Sequence, residues 1–203
     1  VDLSLSDFLC IFAMYICPCI AYDKNTFTME ALPMKNIVLI GMPGTGKSTV
    51  GKALAERFGY EFVDADDLIV QATGKTLPEI LRQDGLEAFY KIENKVGTDL
   101  NRTHTVIATG GSMVLYPEAM AHLKEGSTVI WLQTPFSQLE KRMPADLYDR
   151  GIAVPAGTPL REIYEERCVL YARYADLIVA SQDGEADTAR LVEDVMRTVG
   201  LET

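Results

Sequence analysis

The sequence lacks any long cluster of lysine or arginine. It carries 19 basic and 29 acidic residues, which gives a formal net charge of −10. Because a nucleic-acid-binding face requires a basic stripe, this balance excludes nucleic acid as an expected partner. Internal repeats and low-complexity segments are also missing. The 203 residues suffice for one domain with a sizeable core.

Cysteine is scarce, and its positions do not favour disulfides. Cys10, Cys17 and Cys19 lie in the first twenty residues, and only Cys168 lies in the remainder. A disulfide-stapled core is not expected, and a reducing, cytoplasmic compartment fits this distribution. Cys17 and Cys19 resemble half of a metal site, but no second pair of cysteine or histidine residues completes it.

One long apolar run is present, at residues 8–22. It is about fifteen residues long, whereas a membrane-spanning helix needs about twenty. Asp2 and Asp7 precede it, where a signal peptide carries positive charge. We therefore expect no membrane partner. We predict that residues 1–33 are an extension outside the fold, and that the folded body comprises residues 34–203 with Met34 as a natural start.

A glycine-rich stretch at residues 41–49 fits the pattern G-x-x-x-x-G-K-[ST]. An apolar, β-branched strand is predicted before it at residues 36–40, and an amphipathic helix after it at residues 50–58. This order places free backbone amides and the positive end of a helix dipole around an anion. The stretch is therefore predicted to hold the phosphates of ATP, with Lys47 at the β- and γ-phosphates and Ser48 on Mg²⁺. The predicted ATP-binding residues of this loop are Gly44, Thr45, Gly46, Lys47, Ser48 and Thr49.

Strands and helices alternate along the rest of the body. The strands are predicted at residues 36–40, 60–64, 105–109, 127–132 and 176–180. This alternation predicts a three-layer α/β domain, a P-loop fold with a central five-stranded parallel sheet. Residues 143–158 contain prolines and glycines without a clear period, which predicts a lid.

Ligands of such sheets bind at the carboxyl ends of the strands. The P-loop, Asp64 with Asp66, and Gly110 with Gly111 all follow predicted strands, so we expect them to converge. A GTPase would need an Asn/Thr-Lys-x-Asp motif, and the nearest stretch, residues 94–97, lacks the aspartate. The strands that end near residues 109 and 132 carry no acid of the kind a motor-type ATPase needs. A small-molecule kinase is the remaining class.

Three motifs in the body carry a family resemblance. They are Asp64-x-Asp66 after a phenylalanine-containing strand, Gly110-Gly111 after Val-Ile-Ala-Thr, and Glu166-Arg167-x-x-x-Tyr171. Together they resemble shikimate kinase, and the resemblance covers residues 34 to about 199. It implies ATP-dependent phosphorylation of shikimate to shikimate 3-phosphate in aromatic amino acid biosynthesis, by an enzyme that is often monomeric.

The resemblance also implies roles on the acceptor side. Asp66 would hydrogen-bond the substrate hydroxyls and serve as the base or orienting group for the attacked one, because a carboxylate in reach can accept that proton. Arg167 would pair with the substrate carboxylate in the bidentate manner that lysine cannot match. Gly111 would offer backbone contacts to the substrate.

On the nucleotide side, the resemblance places Asp64 near the metal shell beside Ser48. Arg150, in the lid, would reach the transferring phosphates and act in catalysis with Lys47 and Asp66. Arg142 would lie against the adenine ring. Such charges suit phosphoryl transfer, which needs positioning and charge neutralisation rather than a covalent partner.

Simpler interpretations of these residues stay open at this stage. Asp64 and Asp66 could both be caps of the following helix. Arg167 could be a surface partner of neighbouring glutamates, and Arg150 could be an ordinary exposed charge of a loop.

The acceptor side departs from the family pattern. Where the family has a second substrate-binding arginine, in a Phe-Arg-x-x-Glu context, the matching position is Tyr90. Ser112 replaces a third glycine, and Gly151 follows Arg150 in place of proline. Arg82 or Lys91 could restore the lost charge.

Three hypotheses follow from these departures. The acceptor is shikimate, or it is another small hydroxy acid or polyol, or the chain is a nucleotide-binding module without turnover.

Overall fold

The structure, a computed structural model, describes residues 35–144, 146–181 and 188–198. The predictions for residues 1–33 lie outside the described residues. Across the described ranges, no helix combines the length and the apolar character that crossing a bilayer requires.

Five parallel strands form the central sheet, as the sequence predicts. They are β1 (Asn36–Ile40), β2 (Glu61–Asp64), β3 (Thr105–Ala108), β4 (Ser127–Gln133) and β5 (Leu177–Ala180), in the spatial order β2-β3-β1-β4-β5. The middle strand, β1, is covered on both faces, which explains its continuous apolar sequence.

Eight α-helices surround the sheet in the described part of the chain. They are α1 (Lys47–Phe58), α2 (Ala65–Thr73), α3 (Leu77–Gln83), α4 (Leu86–Asp99), α5 (Pro117–Lys124), α6 (Phe136–Arg142), α7 (Leu160–Tyr174) and α8 (Thr188–Thr198). Two short 3₁₀ helices, Met113–Leu115 and Leu147–Arg150, lie between them.

Local signals set several helix ends. Gly59 ends α1 with φ +66°, and its N–H bonds to the carbonyls of Ala55 and Glu56. Thr76 is the N-cap of α3, and its N–H donates to the Glu79 carboxylate at 2.8 Å in a capping box. The sequence shows both signals. The start of α1 at Lys47, three residues before the predicted start, is the exception, because the end of the P-loop already adopts the first helical turn.

The core is divided by the sheet into two apolar layers. Val38 and Ile40 of β1 face one layer, which α5 and α7 cover, and Ile37 and Leu39 face the other, which α1 and α8 cover. Helices therefore lie on both faces, which gives the three-layer arrangement. A third apolar cluster is formed by buried side chains of α2, α3 and α4 together with Ala153.

Residues 143–158, the predicted lid, are more ordered than their sequence indicates. Asp146 caps the 3₁₀ helix Leu147–Arg150 by accepting the N–H of Tyr148 at 2.9 Å. The Tyr148 hydroxyl donates to the carbonyl of Val154 at 2.8 Å. These contacts join residues too near in sequence for any periodic pattern to show.

Candidate active site

A cavity of about 280 Å³ lies at the carboxyl ends of β1, β2 and β3. Most of the predicted site residues line it. They are Gly44, Gly46, Lys47, Ser48, Thr49, Asp64, Asp66, Gly111, Arg150 and Arg167. The expected convergence of the P-loop, the aspartates and the glycine pair is therefore present. Thr45, Tyr90 and Arg142 lie outside the lining.

The P-loop has the backbone of an anion cradle. The hydrogen-bond ladder of α1 begins with Val50 N–H donating to Gly46 at 2.9 Å, which leaves the amides of Lys47, Ser48 and Thr49 outside the ladder. Gly46 has φ +91°, and a Cβ placed there meets no atom within 4 Å, so the residue borders open space. Free amides, the helix dipole and open space at this point fit a phosphate group.

Thr45 and Arg142 support the loop from behind and from the side. Thr45 is buried, and its hydroxyl lies beside the backbone of Gly41, since it would be 3.4 Å from a Cβ added to that glycine. The Arg142 guanidinium donates to the carbonyl of Gly44 at 3.1 Å and to Gln138 Oε1 at 3.0 Å. Arg142 therefore lies against the outer side of the loop, where the resemblance expects the adenine ring.

Lys47 is buried and bonded to the loop itself. Its Nζ donates to the carbonyls of Gly41 at 2.8 Å and Met42 at 2.9 Å. Burial lowers the pKa of Lys47 to about 8, and the nearby carboxylates of Asp66 and Asp64 oppose that shift. A cation desolvated in this way is a strong partner for an entering phosphate.

Ser48 and Asp64 form the oxygen-rich side of the cavity. The Ser48 hydroxyl donates to Asp64 Oδ2 at 2.6 Å. Hydroxyl and carboxylate oxygens are the ligands that Mg²⁺ takes, usually one or two from protein with the rest from phosphates and water. No cluster of three or more His, Cys, Asp or Glu side chains suited to a metal occurs among the described residues. This donor set therefore fits a phosphate-bound Mg²⁺ and does not form a complete cage.

Asp66 lies on the first turn of α2, behind the end of β2. Asp64 Oδ1 accepts the Asp66 N–H at 3.1 Å, so Asp64 caps α2 and the Asp66 carboxyl group is free of that task. Burial, together with the Asp64 carboxylate, raises the pKa of Asp66 to about 6 against the opposing effect of Lys47. The interpretation of both aspartates as mere caps is therefore wrong.

The loop after β3 lies close to the P-loop and leaves no room for side chains. A Cβ on Gly111 would lie 2.6 Å from Pro43 Cδ. A Cβ on Gly110 would collide with Glu93 Oε1 and lie 3.0 Å from Asp66 Oδ1. Glycine is thus required here by close approach of backbone to side chains on both sides.

Arg167 and Tyr171, one turn apart on α7, meet this loop from the other face. The Tyr171 hydroxyl donates to the carbonyl of Gly111 at 2.7 Å. Arg167 is 3% exposed, and its Nη2 donates to the carbonyl of Ala153 at 2.7 Å. Its Nη1 is buried without a hydrogen-bond partner in the described part of the chain. The surface ion pair considered for Arg167 is therefore wrong, and Arg167 lines the cavity as a buried guanidinium with an unpaired Nη1.

The predicted lid contributes Arg150 to the cavity. Its Nη1 donates to the carbonyl of Arg142 at 2.9 Å, which holds the side chain beside the P-loop. Arg82, on α3, pairs with Asp146 and Asp149 of the same segment. Arg82 therefore binds this segment and does not line the cavity. Lys91 is exposed and also lies outside the lining.

Tyr90 lies on α4 beside the cavity wall. Its ring is half-buried and packs edge-on against Tyr116 with the ring centroids 5.9 Å apart. Its assignment to substrate binding stays a prediction.

Glu93 lies in this site, and the sequence analysis assigns it no role. It is 1% exposed and lines the cavity. Its Oε2 accepts the hydroxyls of Ser112 at 2.6 Å and Tyr116 at 2.9 Å. The signal in the sequence is an acid four residues after Phe89, on the buried face of α4.

Comparison with known sequences identifies one family. The shikimate kinase family model matches residues 43–199. A shikimate kinase of Synechococcus sp. (strain RCC307) is 41% identical over 168 residues, which cover 80% of this chain and 85% of that protein. A shikimate kinase of Synechococcus elongatus is 39% identical over 170 residues, covering 81% and 88%.

Solved structures agree with the sequence comparison. A shikimate kinase from Acinetobacter baumannii in complex with shikimate superposes with a TM-score of 0.70 and 28% identity, covering 82% of this chain and 93% of that chain. A shikimate kinase from Aquifex aeolicus gives a TM-score of 0.68 and 30% identity, covering 81% and 96%. The resemblance seen in the motifs is confirmed, and the chain belongs to the shikimate kinase family of small-molecule kinases.

Proposed function

We propose that the protein transfers the γ-phosphoryl group of ATP to a hydroxyl of shikimate and forms shikimate 3-phosphate. The observation that carries this proposal is the common cavity of Lys47, Asp66 and Arg167, which come from three separate elements. The Lys47 cation suits the phosphates of a nucleotide, the Asp66 carboxylate suits a hydroxyl, and the free N–H of Arg167 suits a carboxylate. Shikimate carries both a hydroxyl and a carboxylate on one small ring.

The nucleotide is held by the N-terminus of α1. The amides of Lys47, Ser48 and Thr49 donate to phosphate oxygens, and Lys47 Nζ exchanges its carbonyl partners for the β- and γ-phosphates. Arg150 adds positive charge from the lid, beside Arg142. These groups stabilise the charge that spreads over the transferring phosphoryl group.

The acceptor is held on the opposite wall. Arg167 donates from Nη1 to the substrate carboxylate while Nη2 stays on the carbonyl of Ala153. Asp66 accepts a hydrogen bond from the attacked hydroxyl, orients it, and takes its proton as the new bond forms. Gly111 offers its backbone to the substrate, and the Tyr171 hydroxyl holds that backbone in place.

Mg²⁺ is the cofactor that Ser48 and Asp64 would hold. When bound, it neutralises charge on the phosphates of ATP. The Ser48–Asp64 hydrogen bond of 2.6 Å keeps both oxygens on the same side of the cavity.

We further propose that the protein acts as a cytoplasmic monomer that binds neither nucleic acid nor membrane. The net charge of −10 and the cytoplasmic supply of ATP support this proposal.

A different hydroxy acid is the second candidate acceptor. Tyr90, at the position of an expected arginine, favours it, because a neutral side chain removes one charged contact. The experiment is a coupled ADP-release assay on the full chain with shikimate and a panel of hydroxy acids and polyols. We expect turnover with shikimate to exceed that with every other acceptor. A higher kcat/KM for another hydroxy acid would establish the second candidate, and ATP binding without any ADP release would establish the inert module.

A further inference from the structure

The Glu93 carboxyl group is buried in the cavity wall and is satisfied at only one of its two oxygens. Oε2 accepts both the Ser112 and the Tyr116 hydroxyls. Oε1 is buried and has no hydrogen-bond partner within the described ranges. A buried polar atom without a partner in a ligand cavity indicates a contact that the ligand completes.

The surroundings of Glu93 disfavour a negative charge. The carboxyl group is buried, and the Asp66 carboxylate lies close to it, because a Cβ built on Gly110 would collide with Glu93 Oε1 and lie 3.0 Å from Asp66 Oδ1. Arg167 is near enough to favour ionisation, but its free Nη1 does not bond to Glu93. Burial, together with the Asp66 carboxylate, raises the pKa of Glu93 to about 7 against the opposing effects of the two hydroxyls and Arg167.

The hydrogen bonds also decide which oxygen holds a proton. An oxygen that already accepts two O–H donors has no free site for its own hydrogen. While both hydroxyls donate to Oε2, the proton of a neutral Glu93 lies on Oε1 and points away from Ser112 and Tyr116. Oε1 then becomes a donor that needs an acceptor from the ligand.

We propose that Glu93 is a specificity-determining residue of the acceptor site, which keeps a proton on Oε1 and donates a hydrogen bond through it to the acceptor's carboxylate beside Arg167 Nη1. This inference rests on the proposed function, since it concerns the acceptor of that reaction. The carboxylate of a hydroxy acid then accepts two hydrogen bonds, one from neutral Glu93 and one from charged Arg167. A polyol without a carboxylate leaves both buried donors unpaired and is rejected.

The main test is the pH dependence of shikimate binding to the full chain, measured by calorimetry without nucleotide. Ionised Glu93 loses its donor and repels the substrate, so we expect the Kd to rise about tenfold as the pH increases from 6 to 8.5. The other groups that face Glu93 are Asp66, Arg167, Tyr116 and Tyr90. A variant that changes Glu93 alone separates its effect from theirs.

Glu93→Gln is that variant, because its amide can accept the two hydroxyls on oxygen and donate from nitrogen, as a protonated carboxyl group does. We expect its Kd at pH 6 to be about threefold weaker than that of the unsubstituted chain, with little change up to pH 8.5. Glu87→Gln, an exposed glutamate on the same helix α4, is the matched control and should keep the pH dependence. If Glu93 instead accepts a hydrogen bond as a carboxylate, the Kd of the unsubstituted chain falls with rising pH and Glu93→Gln binds far more weakly at every pH.

A second measurement does not depend on shikimate. Carbon-13 NMR of the protein labelled at glutamate Cδ should show one carboxyl group that titrates near pH 7 and is missing in Glu93→Gln. Titration of that carboxyl group below pH 5 would overturn the proposal. A chain that fails to phosphorylate shikimate but shows this signal contradicts the proposed function and leaves the proton on Glu93 established, so the two failures are distinguishable.

Discussion

Replacement of Arg167 by lysine tests the acceptor site most sharply. Arg167 is 3% exposed, bonds to the carbonyl of Ala153 through Nη2, and keeps Nη1 free. Lysine keeps the positive charge and can serve the Ala153 carbonyl, but it has no second, rigidly placed nitrogen. The substitution therefore removes one charged hydrogen bond to the substrate while leaving the fold's own contact in place.

The expected loss of shikimate affinity follows from that one hydrogen bond. A hydrogen bond to a charged group contributes about 1.5–3 kcal/mol, which corresponds to a rise of about 10- to 150-fold in the Kd for shikimate. The KM for ATP should change by less than about twofold, since Arg167 makes no hydrogen bond to the P-loop. Calorimetry gives the first quantity, and steady-state kinetics at saturating shikimate gives the second.

Arg161→Lys is the matched control. Arg161 lies on the same helix α7, is exposed, and pairs with Glu165 over the ring of Phe136. Its replacement should change shikimate binding by less than about twofold. If Arg167→Lys binds shikimate as tightly as the control does, the assignment of Arg167 to the substrate carboxylate is refuted.

Three further predictions follow from other contacts. Gly111→Ala places a Cβ 2.6 Å from Pro43 Cδ, so we expect kcat/KM for shikimate to fall by about tenfold or more; an unchanged value would show that the two loops are not held at this distance. Asp64→Asn should raise the Mg²⁺ concentration for half-maximal activity by about tenfold, and an unaltered Mg²⁺ titration would remove Asp64 from the metal shell. The raised pKa of Glu93, about 7, means that its contribution to stability is full below its ordinary pKa and is lost as the pH rises through 7. The free energy of unfolding in urea should therefore fall between pH 5 and pH 8 in the unsubstituted chain. In Glu93→Gln, this fall should be smaller by about 2–3 kcal/mol, and equal falls in the two proteins would mean that Glu93 titrates normally.

The sequence predicts the nucleotide side of the site well, because that side is local. The P-loop, its flanking strand and α1 are consecutive in the chain, so a single motif with the correct spacing describes the geometry. Asp66 and Gly111 join the P-loop by a general rule for parallel sheets, in which loops after neighbouring strands meet at one edge. The observed order places β3 between β1 and β2, which brings these loops together.

The acceptor side depends on packing that no local pattern carries. Arg167 follows two exposed glutamates on α7, and its burial becomes evident only when Ala153, from the segment before α7, lies against it. The Ser112 hydroxyl reaches Glu93 across 19 positions of sequence, and Arg82 reaches Asp149 across 67. Contacts of this kind are set by how the elements pack, and neither periodicity nor motif spacing reports them.

The proposed reaction is phosphoryl transfer from ATP to an acceptor that we expect to lie between Asp66 and Arg167. Phosphorus NMR of the full chain with ATP, Mg²⁺ and shikimate measures this transfer directly. We expect a phosphomonoester signal of shikimate 3-phosphate to grow in step with ADP and without inorganic phosphate. Release of inorganic phosphate with no phosphorylated shikimate, or no change in ATP at all, would contradict it.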